Sequence, residues 1–306
     1  MVPAAELRSY YGRPVIKKPV WKWDVPAYFA TGGLMAASSL LAAGADLAGN
    51  RRLRRTGRIA AAVNLGMSTY FLIHDLGRPG RFYNMLRVVK PTSPMNVGTW
   101  ILAAYGAPVA AAAASEMTGL APRAGRVAGL AASAIAPAVA SYTAVVASDT
   151  AVPAWHDAYP YLPFVFVGSA MAAGGGLAVA SVPPLQAGPA RRMALLGAAL
   201  DLGSATAMER KMGLSAEPYH EGTAGRLNRG ARLCTTVGAI GAGLLARRSR
   251  LAAVASGAAL MAGSALTRFA VFHAGLQSAA DPKYTVVPQR RRVDAGQPVR
   301  AAPQAQ

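Results

Sequence analysis

The chain is poor in cysteine and in acid. A single cysteine, Cys234, occurs in 306 residues. One thiol cannot hold an iron–sulfur cluster or a tetrahedral zinc site, and it closes no internal disulfide. Its apolar surroundings make Cys234 a small filler between helices. Asp and Glu number 13 against 32 Lys and Arg, a formal net charge of +19. In a soluble protein such an excess would suggest nucleic acid, because Lys and Arg neutralise phosphates. Here 53% of the residues are hydrophobic. The basic residues fall between long apolar blocks, so almost no soluble core remains to carry a basic patch. That excludes nucleic acid as the partner and points to membrane lipid. An early apolar run is also missing: residues 1–24 are basic and aromatic, with no apolar core before Val25. No cleavable signal peptide is expected there, and Trp21 and Trp23 suit interfacial anchors.

A helix needs about 20 apolar residues to cross the hydrocarbon core. Blocks of that kind predict eight transmembrane helices, near 25–47, 56–76, 97–117, 125–147, 158–181, 189–208, 230–246 and 251–276. Asp201 interrupts the sixth, and the seventh is short. The fold class expected is an all-α membrane bundle over residues 25–280, with a basic aromatic lead (1–24) and an extended, Pro- and Arg-rich tail (281–306). Dense Gly and Ala, including the triple glycine 174–176, suit close helix packing rather than a phosphate loop, since no strand precedes them. The short connections after helices 1, 3, 5 and 7, with the first turns of the helices they lead into, hold 12 of the 32 Lys and Arg and are nearly free of acid. By the positive-inside rule those loops are cytoplasmic and the opposite ends of the helices extracytoplasmic.

With eight helices, all four histidines approach that opposite face: His74, His156, His220 and His273. Asp75, Asp149, Asp157, Glu217 and Glu221 do the same, whereas only Asp46 and Glu116 approach the basic one. Charged groups at the edge of apolar segments are costly unless paired or used. The sharpest group is His74-Asp75 at the end of helix 2, with Arg78 and Arg81 in the loop behind it. A His–carboxylate pair suits proton transfer beside an apolar slot. The alternative is an Asp75–Arg78 ion pair that merely pins the loop. A second group is Tyr142, Thr143 and Asp149 on helix 4, leading to Trp155, His156 and Asp157. Tyr142 lies about 10 Å of helix rise inside Asp149, a depth at which a phenol can meet a ligand below the interface or simply bond a neighbouring helix. Trp155 alone suits the aromatic belt. Asp201, near a helix centre, should face the interior as a proton-path residue or pair with Arg268. His74 and His273 are the only histidines placed for a bis-His haem, and no haem signature accompanies them.

The run FLIHDLGRPGRF (71–82), followed by Ser93-Pro94-Met95-Asn96-Val97-Gly98-Thr99-Trp100, resembles the NrfD/PsrC family. Tyr142-Thr143 ahead of Pro153-x-Trp155, and Arg268-Phe269 leading to Asp281-Pro282, extend the likeness. The resemblance implies an eight-helix anchor without haem or metal of its own, in a bacterial cytoplasmic membrane. It also implies electron exchange between menaquinone and a four-cluster ferredoxin-like iron–sulfur subunit that serves a molybdopterin catalytic subunit. The single cysteine agrees with redox centres being brought by partners. The family's quinone site includes a helix 4 tyrosine, matched by Tyr142. It also draws polar residues from the first helix, where this sequence offers only Thr31, Ser38 and Ser39. The resulting expectation places quinone contacts at His74, Tyr142, Trp100 and Asp149, and proton relay at Asp75. Partner contacts would come from Arg78, Arg81, His156 and Asp157, with Asp201 on a proton path. A proton channel or transporter without a redox role is the alternative, and it would call for internal repeats and broken helices.

Overall fold

The computed structural model describes residues 14–295, and within them every regular element is helical. Eight helices have 20 residues or more: α1 (Asp24–Leu47), α2 (Arg51–Asp75), α3 (Pro94–Thr118), α4 (Pro122–Ser148), α5 (Leu162–Ser181), α6 (Gly188–Met212), α7 (Gly222–Leu244) and α8 (Arg250–Ala280). Their limits follow local chemistry. Asn50 caps α2 by accepting from the Leu53 amide, and Ser249 caps α8 through Ala252. Proline opens α3 and α4, where its missing N–H costs nothing. Gly119, at φ 74°, stops α3. Pro108 and Pro137 lie inside α3 and α4, yet both helices run through them unbroken. The paired interruptions expected of a transporter are absent from these two helices.

Five of the eight (α1, α3, α4, α5 and α8) are long and apolar enough to cross a membrane. Arginines at the start of α2, charged groups in α6 and Arg226, Arg229 and Arg232 in α7 keep the others below that mark. The chain is thus a multi-pass membrane protein. Consecutive helices pack as antiparallel pairs, with α1 and α5 innermost and α3 outermost. Small residues set the spacing. A Cβ on Gly175 would stand 2.6 Å from the Ala194 amide nitrogen, and one on Gly176 would stand 2.8 Å from Leu260. The triple glycine is a packing surface for α6 and α8, as its position in a helix suggested.

Two expectations fail here. The tail past residue 281 is not extended as far as it is described: Lys283–Asp294 forms a further helix, α9. It is tethered where Lys283 pairs with Glu217 and the buried Tyr284 donates to the same carboxylate. Trp155 is no belt residue. Only 2% exposed, it donates through Nε1 to the Val271 carbonyl (2.7 Å) and stacks on Trp21 at 5.2 Å. A cluster of buried aromatics around Phe29, Phe166 and Phe272 claims it for the core.

Contacts between non-adjacent segments define the two ends of the bundle. At one end His74 meets Asp24, Tyr219 meets the Ala154 carbonyl, and Lys283 meets Glu217. At the other, Arg54 and Arg58 hold Asp46 and Glu116, and Asn50 donates to the Gln186 carbonyl. The histidines gather at the first end and the basic connections at the second, as the alternation of loops implied.

Candidate functional site

A narrow cleft, with about 630 Å³ of empty space once the open solvent outside its mouth is included, lies between α1, α2, α3 and α4 at the histidine-bearing end. Its walls are mainly apolar side chains such as Val25, Phe29, Phe71 and Met95. A few polar groups break them: Asp24, Tyr28, Asp75, Thr99, Tyr142 and Thr143. Two buried polar atoms on this wall have no hydrogen-bond partner, Tyr142 Oη and Asp24 Oδ2. Leaving one such group unpaired costs about 1–3 kcal/mol. The first can donate and the second accept, so the wall can pair with oxygen functions on a largely apolar molecule.

The positions of these groups are built by particular residues. Tyr142 reaches the cavity because Gly98 has no side chain; a Cβ there would lie 2.3 Å from the ring carbon Cε1. Asp24 is the first residue of α1 and is fully buried. Its Oδ1 meets the His74 ring at Nδ1, 2.9 Å away. The His74 side chain is 51% exposed and stacks on Tyr70. His74 therefore stands behind Asp24, between the cavity wall and the surface, and does not line the cavity itself. Asp75 does line it, and its Oδ1 accepts from the Lys22 amide at 3.4 Å. The segment before α1 thus folds over the mouth, with Trp21 forming part of the wall.

The loop 76–93 is held from α3. Asn96 accepts from the Lys90 amide (2.7 Å) and donates to the Met85 and Val88 carbonyls (3.1 and 2.9 Å). Trp100 donates to the same Val88 carbonyl at 3.2 Å. The clamp fixes Met85 in the cavity wall, while Trp100 itself stays outside, bound to the loop. No ion pair joins Asp75 to Arg78 among the described residues. Arg78 and Arg81 are exposed on the loop, as are Tyr83, Val88 and Val89.

The remaining predicted residues fall elsewhere. Asp149, His156 and Asp157 share an open cleft with Tyr159 and Lys211, separate from the Tyr142 cavity. His156 Nδ1 lies 3.3 Å from the Ser148 carbonyl, and Asp157 accepts from Ser215 at 2.5 Å. Asp149 is thus split from Tyr142, although it caps the C-terminus of the helix that carries Tyr142. Asp201 is 3% exposed and Arg268 fully buried, but no direct ion pair joins them. Arg268 instead donates to the Phe166 carbonyl (2.7 Å) and lies 3.7 Å over the Phe166 ring.

The sequence reading missed Asp24, Tyr28, Asn96 and Gly98. The first two are the polar contribution of α1 that appeared absent, and they occupy its first two turns rather than its middle. A signal was available: an aspartate opening an apolar helix is as costly as one closing it, the reasoning already applied to Asp75.

Among known families, the one described as polysulphide reductase, NrfD, matches residues 15–188. That stretch is more than half of the chain, covers α1 to α5 and contains every wall of the cavity. No curated protein matches the chain.

Proposed function

The chain belongs to the polysulphide reductase NrfD family, and so to the membrane subunits of redox complexes; on that premise we propose that it exchanges electrons with menaquinone in the α1–α4 cavity. The observation that carries the reading is the unpaired couple Tyr142 Oη and Asp24 Oδ2 on an otherwise apolar wall. A quinone ring needs an apolar slot, a donor for a carbonyl oxygen and an acceptor for a quinol hydroxyl. Tyr142 supplies the donor and Asp24 the acceptor.

Oxidation of the quinol releases two electrons and two protons. Asp24 Oδ2 accepts the two hydroxyl protons one after the other, and His74, hydrogen-bonded to Oδ1, passes each to the surface before the next is taken up. Reduction runs the same route inward. Asp75 and the Lys22 amide hold the mouth. Electrons pass to or from a four-cluster ferredoxin-like iron–sulfur subunit, and through it a molybdopterin catalytic subunit. The exposed surface of the 76–93 loop suits that subunit's docking: Arg78, Arg81, Arg87 and Lys90 stand among exposed Tyr83, Val88 and Val89.

The test is quinol-dependent reduction in the purified complex. Tyr142→Phe and Asp24→Asn should each lower turnover by roughly 10² or more, the usual contribution of one acid–base group. His74→Ala should do so less severely, because water can replace it at an exposed position. Wild-type turnover in both Tyr142→Phe and Asp24→Asn would remove the cavity from the reaction.

A further inference from the structure

The basic end of the bundle carries a feature that the redox reading does not use. Arg51, Arg52, Arg54, Arg55, Arg58, Arg123, Arg126, Arg191, Arg192, Arg247, Arg248 and Arg250 all lie there, twelve arginines against two carboxylates, Asp46 and Glu116. Both carboxylates are already engaged, by Arg54, Arg58 and Arg126. An open groove starts at this end and runs along the outside of the bundle between α2 and α5. Its polarity is graded. Arg55, Thr56 and Ser181 stand at the mouth, while Ile59, Val63 and Leu177 lie progressively further in; Asn64, the one polar residue at that depth, is buried and turns its amide back to the Ala60 carbonyl (2.9 Å). Arg55 is exposed and has no carboxylate partner among the described residues. From Arg55 to Val63 the groove follows about 12 Å of helix rise.

We propose that this groove is a binding site for one anionic phospholipid, with its phosphate on Arg55 and an acyl chain along Ile59, Val63 and Leu177. The grading decides the occupant. A free phosphate has no use for the apolar length, and a zwitterionic lipid gains less from a surface with ten uncompensated positive charges (twelve less two). The basic mouth lies where a headgroup stands when the helix crosses, and the apolar run lies where the chain stands.

The experiment is native mass spectrometry of the complex released from nanodiscs that contain phosphatidylglycerol and phosphatidylcholine. One phosphatidylglycerol should stay bound to wild type. Arg55→Gln should lower its retention roughly fivefold, as expected for one basic group at an anionic headgroup. Val63→Trp, which fills the groove without touching a charge, should displace it as well. Arg123→Gln, at the same end but outside the groove, should leave retention unchanged. Equal retention of phosphatidylcholine, equal loss in Arg123→Gln, or full retention in both Arg55→Gln and Val63→Trp would each overturn the site.

Discussion

Gly98 shows how one missing methyl group can set a reaction geometry. The Tyr142 ring occupies the space that a Cβ on residue 98 would take. Gly98→Ala should therefore push the phenol away from its position without changing any polar group. Quinol KM should rise at least tenfold in the assembled complex, a displacement effect of the size expected when a positioned group moves by about 1 Å. Unchanged KM would mean that the ring has other room. Trp155 gives the stability counterpart. Fully buried and bonded to Val271, it should cost roughly 3–5 kcal/mol on truncation to alanine, read as a lower midpoint in a detergent thermal melt. These residues also mark what the sequence could reveal. Tyr142 and Asp75 stood out because a polar group in or beside an apolar run is expensive and so conspicuous. Asp24 carried the same cost but sat next to a lead already rich in charge, which hid it. Trp155 was misjudged because an aromatic near a helix end has the same local pattern whether it faces lipid or core.

The elements around the cavity differ in how they are fastened. Loop 76–93 contains only two short helical turns of its own and depends on the Asn96 clamp. Asn96→Ala removes three hydrogen bonds, and the loop should then lose protection in hydrogen exchange while α3 keeps its own. The α9 tether predicts a pH window. Hydrogen bonding to the Lys283 ammonium holds the Glu217 carboxyl below its ordinary value, and the Glu217 carboxylate raises Lys283. A depressed carboxyl stabilises above its unfolded value and fails as pH falls through the lowered one. A raised ammonium stabilises below its unfolded value and fails as pH rises through the raised one. Tyr284, pushed up to about 12 mainly by burial, stays a donor throughout. Docking of α9 should therefore hold across the neutral range and loosen at both extremes. Hydrogen exchange across Lys283–Asp294, corrected for the intrinsic pH dependence, would report it, and Glu217→Gln should remove both limbs. The expectation of an extended tail gave too much weight to Pro288 and the arginines, and had no means of seeing a carboxylate contributed by a distant loop.

For the molecule as a whole, the positions of all eight long helices were legible, with ends mostly within a few residues, because hydrophobic length is a strong signal. Which of them touch lipid was not, since α2, α6 and α7 carry charges whose partners lie on other helices. The lone cysteine makes crossing testable. On a Cys234→Ala background, Tyr159→Cys should react with an impermeant thiol reagent in intact cells, while Arg123→Cys and Arg247→Cys should not. Labelling of both sets from one side would refute eight crossings. The Asp24–His74 pair has a consequence at this scale too. It opens at the same end as the basic loop proposed to receive the iron–sulfur subunit. Protons and electrons taken from one quinol would then leave toward the same compartment. Such turnover is electroneutral: no charge crosses the bilayer, and none of the roughly 2.3 kcal/mol per charge per 100 mV is stored. Proteoliposomes oxidising quinol through this complex, with ferricyanide on the loop side as a proton-free electron acceptor, should acidify that side while a voltage-sensitive dye stays silent.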